Sequence, residues 1–150
     1  MSKIKIVYGT GGGNTKIVCD EVTRLLKEKG HEVEMLLVKN AEPADVGEFD
    51  LLILAAPTHG HGEMEQYMDV FLKKLEAVDM KGWKCTIIGL GDPKYDDDYH
   101  LEGIRIMMMF LKEKGAELVG MPLRITKSPF QWLDNLVVQW VEKLDVLING

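Results

Sequence analysis

Cysteine is scarce in this chain. The two that occur, Cys19 and Cys85, stand far apart and form no CxxC pair. Their positions alone read as reduced core residues rather than a disulfide or a metal pair. Positive charge is also in deficit: 18 Lys and Arg face 24 Asp and Glu, a formal net charge of −6, and no basic stripe appears. That balance argues against nucleic acid and against anionic membranes as partners. The start MSKIKIVYG lacks the apolar core of a signal peptide, and no segment approaches the length of a membrane span. Repeats, linkers and low-complexity tracts are missing too, so residues 1–150 read as one domain. The expectation is a cytoplasmic, monomeric protein with no metal site.

What is present is a regular alternation of buried strands and amphipathic helices. KIKIVYG (Lys3–Gly9) alternates briefly and then turns apolar, as a buried strand does. Asn14 and Thr15 can cap a helix running to about Lys29, with Ile17, Val18, Val22, Leu25 and Leu26 at helical spacing and Gly30 as its stop. HEVEMLLV (His31–Val38) reads as a strand, and DLLILAAP (Asp50–Pro57) as a strand buried on both faces. A helix over about Glu65–Leu75 is followed by a strand at WKCTIIGLG (Trp83–Gly91) and a helix over Leu101–Gly115. AELVGMPLRI (Ala116–Ile125) reads as a last strand with an extension, and Phe130–Ile148 as an amphipathic C-terminal helix. Met107–Met109 and Trp140 are expected in the core. Such alternation implies an α/β fold with a parallel sheet covered on both faces and right-handed crossovers.

Three loops follow three of the buried strands: GTGGGNT (Gly9–Thr15), PTHGHGEME (Pro57–Glu65) and GLGDPKYDDDYH (Gly89–His100). In such a sheet they meet on one rim, where ligands bind. Glycines at 9, 11, 12 and 13 let backbone N–H groups approach an anion closely, and a helix beginning near Asn14 adds its positive end. Thr10, Asn14 and Thr15 add side-chain donors. The loop suits a phosphate, although it is neither a Walker loop nor GxGxxG. A glycine-rich turn without a ligand is the alternative reading of this loop alone.

Together the loops carry a resemblance to the short-chain flavodoxins. That family's phosphate loop reads approximately T/S-x-T-G-x-T; GTGGGNT is similar, with Gly12 where a hydroxyl residue often stands. Its second loop places an aromatic-Gly-acid turn against the flavin, here His59-Gly60-His61. Its third reads approximately G-S/C-G-D-x-x-Y, and Gly89-Leu90-Gly91-Asp92-Pro93-Lys94-Tyr95 fits closely. GAELVGMPLRI is also similar to the family's last strand.

The resemblance implies a doubly wound three-layer sandwich with a five-stranded parallel sheet in the order 2-1-3-4-5, and a noncovalently bound FMN. The FMN contacts it implies are Thr10, Gly11, Gly12, Gly13, Asn14 and Thr15 at the phosphate, then Pro57, Thr58, His59, Gly60, His61 and Gly62. Leu90, Gly91, Asp92, Tyr95 and Asp98 complete them. Tyr95 would stack on one flavin face. His59 stands where many relatives carry tryptophan, and His61 where many carry an acid. Gly60 would allow a peptide flip toward flavin N5. Asp92, Asp96, Asp97, Asp98 and Glu102 oppose only Lys94, an acidic rim for basic redox partners. Lys16 replaces an acid common in relatives and is expected to face solvent.

The implied function is low-potential electron transfer: single electrons pass between partner proteins as FMN cycles between semiquinone and hydroquinone, with no catalytic residue. The alternative is a small FMN-dependent NAD(P)H or quinone reductase of the same fold. A response-regulator receiver is set aside, because Ala56-Pro57 and Gly9-Thr10 occupy the positions where it needs acids.

Overall fold

The first strand, β1 (Lys3–Tyr8), is buried at five of its six positions, so it belongs in the middle of a sheet. The computed structural model, which describes residues 2–9, 13–59, 63–91, 102–125, 130 and 133–149, places it there. The remaining elements are α1 (Asn14–Glu28), β2 (Glu32–Leu37), α2 (Pro43–Val46), β3 (Leu51–His59), β4 (Glu63–Met64), α3 (Gln66–Lys74), β5 (Lys84–Leu90), α4 (Glu102–Glu113), β6 (Glu117–Leu118), β7 (Leu123–Ile125) and α5 (Leu136–Asn149).

The sheet runs β2-β1-β3-β5-β6, with β7 also on β5, and these pairings are parallel. Counting β6 and β7 as one interrupted strand gives the expected order. One face packs Ile6, Ile53, Ile88 and Ile125 against Val18 and Val22 of α1 and Val137, Trp140 and Leu144 of α5. The other packs Val7, Leu54 and Ile87 against Met68 and Phe71 of α3 and Ile104, Met107 and Leu111 of α4. Burial on both faces explains why β3 and β5 read as continuous apolar runs.

Cys19 lies in the first of these clusters and Cys85 in the second, both free and buried. The sheet separates them, so they cannot pair. Burial pushes both thiols up, Cys85 to about 12. Trp140 is buried and donates its indole Nε1–H to the Met121 carbonyl at 2.7 Å. Met107 is fully buried, whereas Met109 is 47% exposed.

Three local expectations are corrected, and one short helix that the sequence reading passed over is present. The last strand is not continuous over Ala116–Ile125. It breaks between Leu118 and Leu123, where Gly120 takes a left-handed φ of 68° and Pro122 lacks a ladder donor. The C-terminal helix begins at Leu136 rather than Phe130, after a turn over 133–135. The link between β2 and β3 holds a short helix, α2, closed by reciprocal bonds of Glu42 and Asp45. Asn14 and Thr15 do not cap α1: the cap position is Gly13, at φ 88°, and no side chain bonds there.

Candidate functional site

The carboxyl ends of β1, β3 and β5 are neighbours, through the pairs Tyr8–Ala55, Ala55–Ile88 and Pro57–Leu90. Strand order reverses between β1 and β3, because β2 lies on the far side of β1. A parallel sheet opens its ligand crevice at such a point. All three candidate loops spring from it. The described residues do not include Thr10, Gly11, Gly12, Gly60, His61, Gly62, or the stretch from Asp92 to Leu101 that holds Tyr95 and Asp98. They do include the frame from which each loop starts.

The first loop leaves β1 at Gly9, whose N–H donates to Ala55 O at 2.8 Å, and enters α1 at Gly13. The first turn of α1 carries no acid and no side-chain cap. The positive end of its dipole therefore faces no carboxylate of its own first turn, which suits an anion. Thr15 is 1% exposed, yet its Oγ1 has no hydrogen-bond partner among the described residues. A buried hydroxyl without a partner costs free energy, and an acceptor-rich anion at this helix end would satisfy it. The residues present thus fit a phosphate group. Lys16 does not join them; it is exposed and bonds Asp20 at 2.8 Å, which raises its pKa.

Sequence reasoning missed Glu65. It was expected only as a helix start, yet its carboxylate lies beneath this loop. Glu65 is 4% exposed and caps α3, accepting from Tyr67 N–H at 3.0 Å and Met68 N–H at 2.8 Å. A Cβ added to Gly9 would stand 2.3 Å from Glu65 Oε2 and 3.2 Å from Val38 Cγ1. Gly9 is thus needed for close approach, because the buried Glu65 carboxylate at the end of the second loop packs against it. Glutamate is an uncommon cap residue, so neither composition nor spacing marks it.

The second loop is the tip of an antiparallel hairpin, which the sequence did not suggest. Thr58 pairs with Met64 and His59 with Glu63, leaving residues 60–62 as the connection. Thr58 is buried and its Oγ1 accepts from Gly103 N–H at 2.8 Å, so its oxygen anchors the start of α4. Pro57 is half-buried beside it.

The third loop is pinned at both ends. Gly91 N–H donates to Ile125 O at 2.8 Å, and Gly103 N–H is held by Thr58. The Leu90 side chain is 2% exposed within the core cluster under α1 and α5, so any ligand contact there is through its backbone. Gly89 brings α4 close: a Cβ there would lie 2.1 Å from Ile104 Cγ1.

The largest cavity described, about 620 Å³, lies elsewhere, among Ser2, Asp50, Leu51, Lys84 and Glu117 at the amino ends of the strands. It has no relation to the loop rim. Among the described residues no helix is long and apolar enough to cross a membrane, and no three His, Cys, Asp or Glu side chains are grouped to hold a metal.

Comparison with known proteins agrees with this geometry. The Flavodoxin family model matches residues 6–140. A flavodoxin of Maridesulfovibrio salexigens is 32% identical over 132 residues, covering 86% of this chain and 89% of that one. The crystal structure of oxidised flavodoxin 2 from Bacillus cereus superposes with a TM-score of 0.86 at 28% identity, over 95% of this chain and 97% of that one. A mutant flavodoxin of Fusobacterium nucleatum bound to flavin mononucleotide gives 0.79 at 26% identity, over 99% and 96% of the two chains.

Proposed function

The chain belongs to the flavodoxin family, and on that premise we propose that it binds FMN noncovalently and carries single electrons between partner redox proteins. It is an electron carrier and not an enzyme. The observation that supports this most directly is the buried Thr15 hydroxyl, without a partner among the described residues, at a helix end that carries no side-chain cap on the loop rim. When bound, FMN supplies the one-electron chemistry that the side chains lack.

The chain's own part is to bind and orient. Gly13, Asn14 and Thr15, with Thr10, Gly11 and Gly12, are assigned to the phosphate. After Pro57 and Thr58, the residues His59, Gly60, His61 and Gly62 are assigned to one side of the ring. Leu90, Gly91, Asp92, Tyr95 and Asp98 are assigned to the other, with Tyr95 as the stacking ring. The acids at 92, 96, 97, 98 and 102 are assigned to a negative rim that steers basic partners. A monomeric state, a single FMN-binding domain over residues 1–150 and a cytoplasmic location belong to the same reading.

The test is a stepwise reductive titration of the purified protein, followed by absorbance. Two resolved one-electron steps, with negligible NADH oxidation, are expected. Direct two-electron bleaching with rapid NADH turnover would overturn the carrier reading in favour of a reductase.

A further inference from the structure

The first turn of α4 is held from another element. Its second residue, Gly103, is buried, and the Gly103 N–H is one of the first four amides of the helix, which lack a partner inside it. The acceptor comes from 45 positions away: Thr58 Oγ1 of β3, at 2.8 Å. Thr58 is 2% exposed, so the bond is shielded from water. The next residue, Ile104, is 1% exposed and lies over Gly89 of β5, where a Cβ would stand 2.1 Å from its Cγ1. Gly89 is the register partner of Ala56, two residues before Thr58. One polar and one apolar contact thus seat the start of α4 on the ends of β3 and β5.

This seat joins two of the three rim loops. Thr58 opens the hairpin: it pairs with Met64, and residues 60–62 form the connection. On the other side of the bond, residues 92–101 run directly into α4, while Gly91 at their far end is held by Ile125 O. The first loop has different anchors, Gly9 N–H on Ala55 O and Gly13 at the start of α1.

We propose that Thr58 is a positioning residue for the flavin ring. Its hydroxyl acts through Gly103, not by contact with flavin, and holds the second and third loops in one frame, while the first loop holds the phosphate separately. This rests on the FMN reading above. Its consequence is quantitative. When only a fraction of the free molecules has the frame intact, apparent affinity falls by that fraction for every ligand that needs the frame. FMN and riboflavin share the ring and differ by the phosphate. Loss of the Thr58 oxygen should therefore weaken both by the same factor.

The test compares Thr58→Val, which keeps nearly the same shape without the acceptor, with Thr58→Ser, which keeps the oxygen. FMN and riboflavin affinities are measured on FMN-free protein by fluorescence titration, and amide exchange at Gly103 by NMR. In Thr58→Val, Gly103 should exchange faster and both flavins should bind about tenfold more weakly, within the effect of leaving a buried N–H unpaired. Thr58→Ser should match the wild type. Faster exchange with neither affinity changed would mean a purely structural bond and would overturn the proposal. So would weaker FMN with unchanged riboflavin, which would place the hydroxyl at the phosphate. A serine variant as weak as the valine one would overturn it too, by assigning the effect to the methyl group. The wild type supplies a check that needs no variant: saturating riboflavin should slow exchange at Gly103. Unchanged exchange, or riboflavin failing to bind protein that binds FMN, would refute the frame. Wild-type protein that binds neither flavin would instead overturn the FMN reading itself, and the frame with it.

Discussion

Replacing Gly9 with alanine should couple strongly to Glu65. The new Cβ would sit 2.3 Å from Glu65 Oε2 and 2.9 Å from its Cδ, well inside contact distance. A flexible carboxylate could normally swing away. This one is 4% exposed and held by the N–H groups of Tyr67 and Met68. Displacing it forfeits the α3 cap, about 0.5–2 kcal/mol, and strands a buried charged acceptor, about 1–3 kcal/mol. Gly9→Ala should therefore cost roughly 1.5–5 kcal/mol. Glu65→Ala alone should cost roughly 1–2 kcal/mol through the lost cap. In the double variant the alanine at 9 meets only Val38 Cγ1 at 3.2 Å, a contact that needs a shift of a few tenths of an ångström. The double variant should then be more stable than the sum of the singles predicts, by about 0.5–3 kcal/mol, the range found for residues in direct contact. The assay is urea unfolding followed by circular dichroism on FMN-free protein, so that cofactor linkage does not enter. Additivity within about 0.5 kcal/mol, the behaviour of independent sites, would refute the claim that Glu65 is what Gly9 makes room for.

Four further outcomes are expected. Thr15→Val keeps the volume and deletes a hydroxyl that has no partner among the described residues. FMN-free stability should hold or rise while FMN affinity falls about tenfold, or about 1.4 kcal/mol, by fluorescence titration; unchanged affinity would remove Thr15 from the phosphate site. Gly89→Ala would place a Cβ 2.1 Å from Ile104 Cγ1 and should destabilise by about 1–3 kcal/mol through overpacking, largely relieved by adding Ile104→Ala; a neutral Gly89→Ala in urea unfolding would show that α4 is free to move off. The Cys85 thiol, raised by burial from 9.0 to about 12, keeps its proton in the folded state while the unfolded thiol ionises. Its contribution to stability is thus complete below about pH 9 and is lost as pH rises toward 12, at up to roughly 1.4 kcal/mol per unit. Cys85→Ala should flatten that decline, and alkylation of native protein at pH 8 should be slow; a rapidly modified Cys85 would contradict the burial argument. Gly60→Ala should bring the two one-electron FMN potentials closer together in a spectroelectrochemical titration, and an unchanged separation would argue against a peptide flip at residue 60.

The parts of this molecule that the sequence made legible are those set by local period or by a run. β3 and β5 announce themselves because both faces of each are buried: Leu51–Ala56 is apolar throughout, and Cys85–Leu90 is interrupted only by the buried Thr86. That the three candidate loops start from neighbouring strand ends followed from the same reading, since strand alternation fixes which ends share a rim. What stayed illegible depends on pairs remote in sequence. Thr58 holding Gly103 spans 45 positions, and Glu65 reaches Gly9 across the sheet. No window of neighbouring residues records either contact. The broken last strand failed for another reason. Glu117–Ile125 has enough apolar residues for one strand, and the alternation survives on both sides of the break, with Val119 and Leu123 facing α5. Gly120 and Pro122 were visible, but a parallel edge strand tolerates each of them singly. Only their combination, with Met121 between them giving its carbonyl to Trp140 on α5, withdraws the segment from β5. The sheet edge is interrupted there because α5 takes up a backbone group that a continuous strand would have kept in its own ladder, and a groove beside Trp140 is the space that this exchange leaves.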